Sequence, residues 1–266
     1  MREGRWRRLH RPSSTLSHEA RRRGKRNAAW LWVLLALVGA AAWADGPAPG
    51  WPAFLPPRDA FPADLAAAVE RTWIDRTLSR TVRGPSVRAP FDLYSALIDA
   101  PDVTAAAARY RSFSRDEVRL VGDDLYEADD HDGSRGFYRV LARERDRRVM
   151  FSWGQNSSSL LGTIRGDALT VLTLAPEDGR IDQVLTAHVR IDNSFVAAIA
   201  RALLVLFGGM ADRKLREGVV AAALVAEWAA TEPVEFCDWL SRSGLPDARR
   251  APIQGRVPGC PRSGEF

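Results

Sequence analysis

The chain has 266 residues, of which 46% are hydrophobic, and this size and composition fit one ordinary globular domain with its own core. Its formal net charge is +5, but residues 1–27 carry ten basic and two acidic side chains, so this basic leader alone holds +8 and the rest of the chain −3. Because a protein that binds phosphate backbones gathers basic groups on its folded part, this distribution argues against nucleic acid as a partner.

Residues 28–44 form an uncharged apolar segment directly after the leader, with the sequence AAWLWVLLALVGAAAWA. Since basic side chains resist transfer into hydrocarbon, we expect the leader to stay in the cytoplasm and the chain beyond this segment to lie outside it. The run fits either a single transmembrane helix or a signal peptide cleaved after the small residues Ala42 and Ala44. The predicted location is therefore a bacterial-type cell envelope: the inner membrane if the segment is retained, and the periplasm or exterior if it is cleaved.

Composition divides the remaining chain into three parts. Residues 45–62 are rich in Pro and Gly, which predicts a linker. An α+β domain is predicted over residues 63–245. Residues 246–266, rich in Pro, Arg and Gly, are predicted to be a flexible tail.

The domain begins with apolar residues at helical spacing. Leu65, Val69 and Trp73 recur at four-residue steps, and this predicts an amphipathic helix from residue 63 to about Arg80. Two shorter helices are predicted at 91–98 and 103–109, the second after a cap at 99–102.

The middle of the chain changes to a two-residue period typical of strands. Leu185 and Val189 fall on one face of the last strand, whereas Asp182, His188 and Arg190 fall on the other. Polar turns separate the apolar runs, so we predict an antiparallel meander. Its strands are predicted at 137–145, 148–154, 168–174 and 181–191.

Helical periodicity returns at Ser194 and continues, with an interruption at Gly208 and Gly209, through a second piece at 211–230 that Pro233 ends. This pattern predicts a long C-terminal helix packed on the meander. Cys237 and Cys260 are separated by 22 residues, and in an oxidising compartment they are expected to form a structural disulfide; free thiols are the alternative.

The order of helices, central antiparallel meander and long C-terminal helix resembles the START-like, or polyketide-cyclase-like (SRPBCC), superfamily. The resemblance implies a curved sheet and a helix that enclose an apolar cavity for lipids or other hydrophobic molecules. No motif of the family can be matched position by position, so no family residue is assigned. From the apolar faces of strands and helix, together with Arg190 as a contact for a polar head group, we predict that the cavity is formed by Phe151, Trp153, Leu172, Val189, Arg190, Phe195, Ile199 and Leu203.

Other polar groups favour ordinary structural roles. The acidic stretch from Asp123 to Asp132 lacks the ligand spacing of a calcium loop and predicts a solvated turn between strands, so no metal site is assigned. His188 lacks a neighbouring nucleophile in sequence, and a serine elbow motif is absent. No cofactor is predicted.

Three functions remain open from the sequence. The first is a non-enzymatic, envelope-localised domain that binds a small hydrophobic ligand such as a lipid. The second is a structural or assembly subunit of a membrane-associated complex, whose protein partner is unknown. The third is a hydrolase or cyclase on a START-like scaffold, for which His188, Arg190 and Asp182 would have to line the cavity.

Overall fold

The computed structural model describes residues 50–158, 162–192 and 215–260, which belong to a compact unit spanning Pro47–Phe266. The predicted leader and membrane segment lie outside the described residues. Within the described residues, no helix combines the length and the apolar character needed to cross a bilayer. The elements of the unit are a short 3-10 helix at Arg58–Ala60, α1 (Ala63–Ile74), β1 (Leu78–Arg83), α2 (Phe91–Asp99), α3 (Pro101–Tyr110), β2 (Glu117–Gly122), β3 (Leu125–Asp129), β4 (Ser134–Arg143), β5 (Arg147–Ser158), β6 (Gly162–Glu177), β7 (Arg180–Ile191), α4 (described over 215–231), α5 (Pro233–Arg242) and α6 (Asp247–Gln254).

Seven antiparallel strands form one sheet in the order β1-β7-β6-β5-β4-β3-β2. The four predicted strands are present as β4 to β7, each reaching beyond its predicted bounds at one end or both. The helix pair α2 and α3 lies between β1 and β2 in the chain, and α4 to α6 follow β7. The predicted α+β class, with an antiparallel meander and C-terminal helices, is confirmed.

The first helix is shorter than predicted. It ends at Ile74, and the Thr77 N–H then donates to the Val189 carbonyl at 2.7 Å, which starts the pairing of β1 with β7. Leu78 lies opposite Val189, and Arg83 opposite Val184. The helical period continues into Leu78, but backbone pairing with β7 makes this residue the first of a strand.

Both faces of the sheet are covered. On the face that we call inner, Leu172, Leu174 and Leu185 belong to a core shared with the helices α2 to α6. On the outer face, Val149 and Leu169 belong to a second, smaller core shared with α1 and the segment before it. Neighbouring residues along the central strands are therefore buried on opposite sides of the sheet.

The segment before α1 packs on the outer face rather than forming a free linker over its described part. Leu55 is 8% exposed and contacts the outer core, as do Trp51 and Phe61. The Trp51 indole N–H donates to the Pro56 carbonyl at 2.9 Å, which fixes the turn of the proline-rich stretch. Proline excludes this segment from regular structure but not from burial.

The C-terminal residues are also ordered by packing, where a flexible tail was expected. The helix α6 buries Ile253, and Val257 beyond it is 5% exposed. Cys237 and Cys260 form the predicted disulfide, with their Cα atoms 5.6 Å apart. The buried side chains of Ile253 and Val257, together with the disulfide, thus attach residues 247–260 to the inner core.

Candidate ligand-binding cavity

A cavity of about 300 Å³ lies between the inner face of the sheet and the helices α2, α3 and α4. Side chains from the sheet form one wall, and side chains from the helices and from the loop after α3 form the other. The sheet contributes Val118, Tyr138, Val140, Met150, Thr170, Leu172 and Leu185. The helices and loop contribute Leu97, Ile98, Pro101, Thr104, Ala105, Ala108, Ser114, Asp116, Leu215, Gly218, Val219, Ala221 and Ala222.

The void exists because the helices present small residues to the sheet. Ala105 and Ala108 are one turn apart on α3, and Gly218, Ala221 and Ala222 recur at three- and four-residue spacing on α4. A Cβ atom added at Gly218 would meet nothing within 4 Å. Larger side chains at these positions would fill the space, so the helices leave room between themselves and the sheet.

The inner face also requires glycine where neighbouring strands approach closely. Gly136 and Gly154 lie opposite each other on β4 and β5, and Gly154 lies opposite Gly166 on β6. A Cβ atom at Gly136 would lie 2.5 Å from the Trp153 carbonyl oxygen, and one at Gly154 would lie 2.6 Å from that of Arg135. Glycines inside strands commonly mark such close approach and bending, and here they adjoin the row that carries Tyr138.

The cavity wall is mainly apolar. Among the described lining residues, Asp116 is the one acidic residue. None of the described lining residues is a lysine, arginine or histidine. The Thr104 hydroxyl donates to the Leu97 carbonyl at 2.6 Å, and the Ser114 hydroxyl oxygen accepts from the Asp116 N–H at 3.1 Å. The Thr104 hydroxyl is therefore already engaged as a donor within the protein, and the Ser114 hydroxyl is engaged as an acceptor.

Tyr138 is the largest polar side chain of the wall. Its ring stacks on Tyr126, with centroids 5.2 Å apart and planes 16° from parallel. Burial raises the pKa of Tyr138, so the phenol stays protonated at physiological pH. Among the described contacts its hydroxyl has no hydrogen-bond partner, which makes it an available donor in an apolar wall.

A charged cluster contacts Tyr126, the ring on which Tyr138 stacks. The Arg249 guanidinium donates to both carboxylate oxygens of Asp102, at 3.0 Å from Nε to Oδ2, and also to the Tyr126 hydroxyl at 3.3 Å. Hydrogen bonding to Asp102 raises the pKa of Arg249, and burial raises the pKa of Tyr126. Arg249 thus connects α6 to the first turn of α3 and to the ring under Tyr138.

The predicted cavity residues do not all line the observed cavity. Leu172 lines the cavity. Val189 lies on the inner face, opposite Ala168 and Leu78, but outside the lining. The predicted residues Phe195, Ile199 and Leu203 lie outside the described residues.

Phe151 and Trp153 do not line the cavity, because they point to the outer face. Phe151 is 2% exposed in the outer core, and Trp153 stacks on Phe137 with centroids 5.9 Å apart. Side chains alternate along a strand, so Met150 on β5 occupies the inner face in their place. Since both faces of the sheet are apolar, hydrophobicity alone could not distinguish them.

Arg190 also lies away from the cavity. Its guanidinium donates to Asp167 and to Asp192, at 2.8 Å in each case. Burial raises the pKa of Asp167 despite this neighbouring positive charge. Arg190 is therefore held in ion pairs within the protein and is not among the described lining residues of the cavity.

The residues required for a hydrolase or cyclase do not meet in the cavity. His188 Nδ1 lies 2.8 Å from the Ser79 hydroxyl, and the histidine ring packs edge-on against Trp73 at 4.7 Å. Asp182 is exposed. These groups lie on the outer face, so the described lining contains none of the three.

The acidic stretch forms turns and ion pairs. Asp124 accepts from Arg143 at 2.6 Å, and Glu127 accepts from Arg119 and Arg135 at 2.7 and 2.8 Å. No group of three or more His, Cys, Asp or Glu side chains suited to a metal occurs in the part of the chain that the structure describes. The turns of the acidic stretch lie at the two ends of β3. This strand was not predicted because its sequence is rich in acidic residues.

No family model matches the chain, and no curated protein matches it. Among solved structures, it is similar to a conserved protein from Geobacillus kaustophilus, with 16% identity over 57% of this chain and 97% of that one, and a TM-score of 0.41. An uncharacterized protein from Rhizobium leguminosarum gives 12% identity, coverages of 56% and 94%, and a TM-score of 0.39. Ara h 8.0201 gives 11% identity, coverages of 54% and 98%, and a TM-score of 0.33. At these identities and scores no argument about function rests on the similarities.

Proposed function

We propose that the compact unit is a START-like binding domain that holds one small hydrophobic molecule in the cavity and performs no chemistry on it. The observation that carries this proposal is the apolar void of about 300 Å³ between the sheet and three helices. Transfer of an apolar molecule from water into such a wall is favourable in proportion to the area buried. The volume lies at the lower end of ligand pockets, about 300 to 1,000 Å³, and this favours a single chain or a few fused rings over a two-chain phospholipid.

The proposed location of the domain is the cell envelope, with residues 28–44 as the membrane anchor or export signal. The disulfide between Cys237 and Cys260 supports this location, because such bonds persist in oxidising compartments. Fractionation of cells that express the full chain tests it, combined with mass analysis of the mature N-terminus. Recovery of the uncut chain among soluble cytoplasmic proteins would contradict both forms of the proposal.

The binding function is tested with the neutral fluorescent probe N-phenylnaphthylamine and a pair of variants in α4. Gly218→Leu directs a side chain into the cavity, whereas Val220→Leu enlarges an exposed side chain of the same helix outside the lining. We expect Gly218→Leu to weaken probe binding by about tenfold or more, since overpacking a site costs about 1 to 3 kcal/mol. Val220→Leu should bind as the wild type does. Equal binding by wild type and Gly218→Leu would show that the cavity is not the site.

Native mass spectrometry of the protein released from its native membrane provides a second measurement. A co-purifying apolar molecule in the wild type, absent from Gly218→Leu, is the expected result. Reproducible absence of any bound molecule from the wild type, together with no probe binding, would contradict the function itself.

A further inference from the structure

Among the described residues of the cavity wall, one rigidly held hydrogen-bond donor, the Tyr138 hydroxyl, makes no described hydrogen bond. The Tyr138 ring is fixed by stacking on Tyr126, whose hydroxyl in turn accepts from Arg249 at 3.3 Å. The Tyr138 hydroxyl makes no hydrogen bond among the described contacts. Its side chain is partly exposed and lines the cavity, so the hydroxyl is accessible to a ligand that supplies an acceptor.

The described part of the same wall contains no basic side chain that could compensate a ligand anion. Arg249 is committed to Asp102 through both oxygens of the carboxylate, and none of the cavity residues among those described is basic. Asp116 adds a negative charge to the lining. A carboxylate or phosphate placed inside would lose its hydration without gaining a counter-charge, which is strongly unfavourable.

We infer that the ligand is a hydrophobic molecule that carries a carbonyl or ether oxygen and no negative charge, and that this oxygen accepts a hydrogen bond from the Tyr138 hydroxyl. This inference rests on the proposed binding function and specifies the chemical class of its ligand. Thr170 carries the other hydroxyl of the wall without a hydrogen bond among the described contacts, but it lies two strands away on β6 and has no fixed ring to aim it. It provides the internal comparison for the test.

The experiment uses the full chain in lipid nanodiscs and measures displacement of N-phenylnaphthylamine, with empty nanodiscs subtracted. The competitors share one chain: methyl laurate, dodecane, the laurate anion and dodecylamine. In the wild type, methyl laurate should displace the probe about three- to tenfold more effectively than dodecane, as expected for one net hydrogen bond. Laurate should be at least about tenfold weaker than methyl laurate because its charge is not compensated.

Three variants assign the donor. Tyr138→Phe should remove the preference for methyl laurate over dodecane while dodecane still competes. Thr170→Val and Tyr110→Phe should keep the preference; Tyr110 is a surface tyrosine, 54% exposed, outside the lining.

The outcomes separate this inference from the function on which it rests. If dodecane and methyl laurate compete equally in the wild type, or if Thr170→Val rather than Tyr138→Phe removes the preference, the assignment of Tyr138 is wrong. If laurate competes better than methyl laurate, or if dodecylamine competes less well than laurate, the inferred absence of negative charge on the ligand is wrong. In each of these cases a hydrophobic-binding function survives, whereas failure of every competitor and of the probe overturns both.

Discussion

Arg249 and Asp102 form a bidentate ion pair that joins α6 to the first turn of α3, 147 residues earlier in the chain. The side chains are 22% and 10% exposed, so each charge depends largely on the other for stabilisation. Asp102 lies in the first turn of α3, where a carboxylate also interacts favourably with the helix dipole. The pair therefore attaches the C-terminal residues to the helix that forms one wall of the cavity.

We expect Arg249→Ala to lower the free energy of unfolding by about 2 to 3 kcal/mol, since it leaves a largely buried carboxylate without a counter-charge. Urea denaturation measures this loss. The matched control is Arg242→Ala, whose ion pair with Asp238 has side chains 72% and 66% exposed. That variant should lose less than about 1 kcal/mol. Equal losses would show that the Arg249 pair is no more than a surface contact.

The ionised carboxylate of Asp124 should stabilise the fold, and this contribution should disappear at acid pH. A hydrogen bond from Arg143 holds the pKa of Asp124 below its ordinary value of 3.8. A lowered folded-state pKa stabilises the fold above the ordinary value, and this contribution disappears as pH falls through the folded-state pKa. Asp124→Asn should therefore be less stable than the wild type at neutral pH, and the difference should shrink below pH 3.8.

Denaturation across a pH series measures this convergence. Asp123→Asn, at an adjacent exposed residue that makes no ion pair in the described part of the chain, is the control and should follow the wild-type curve. A constant difference between Asp124→Asn and the wild type at every pH would contradict the assignment to Asp124.

Reduction of the disulfide should destabilise the compact unit. Cys237 and Cys260 are 23 positions apart, and closing a loop of this size stabilises by about 3 kcal/mol. We expect a loss of this order on adding a reductant to the wild type, measured by chemical denaturation. The double variant Cys237→Ser, Cys260→Ser should be less stable from the start and should not respond to reductant.

The two faces of β5 and β4 should respond differently to substitution. Phe151→Leu alters the outer core and should lower stability by about 1 kcal/mol while leaving probe affinity unchanged. Val140→Phe adds a larger side chain to the cavity wall and should lower the affinity for the probe by about tenfold. Probe fluorescence and denaturation of the same preparations separate the two effects. A larger effect of Phe151→Leu on probe affinity would show that the inner and outer faces are assigned the wrong way round.

The central strands were predictable because their apolar runs are bounded by polar turns. The residues around Arg145 connect β4 to β5, and Asp178 and Gly179 connect β6 to β7. β1 and β2 were missed because they are the edge strands of the sheet, and each depends on a single neighbour for its pairing. The apolar spacing of β1 continues the helical period of α1. In β2 the neighbouring residues Leu120 and Val121 are both exposed, so this strand lacks the alternation of buried and exposed residues that indicates a strand.

The cavity could be predicted as a kind of site but not residue by residue. A sheet buried on both faces gives strands with apolar residues at consecutive positions, such as Met150 and Phe151, and the sequence does not state which one points inward. A usable signal was present in the helices, where Ala105, Ala108 and Gly218 interrupt the larger apolar residues. Small residues on helix faces that meet a sheet indicate where space is left.

The packing of Trp51 and Leu55 on the outer face decides where the chain enters the unit. The segment around Trp51 and Leu55 packs on one side of the sheet and the cavity lies on the other, so a full layer of backbone separates the two. A label attached near Trp51 should therefore leave access to the cavity unchanged.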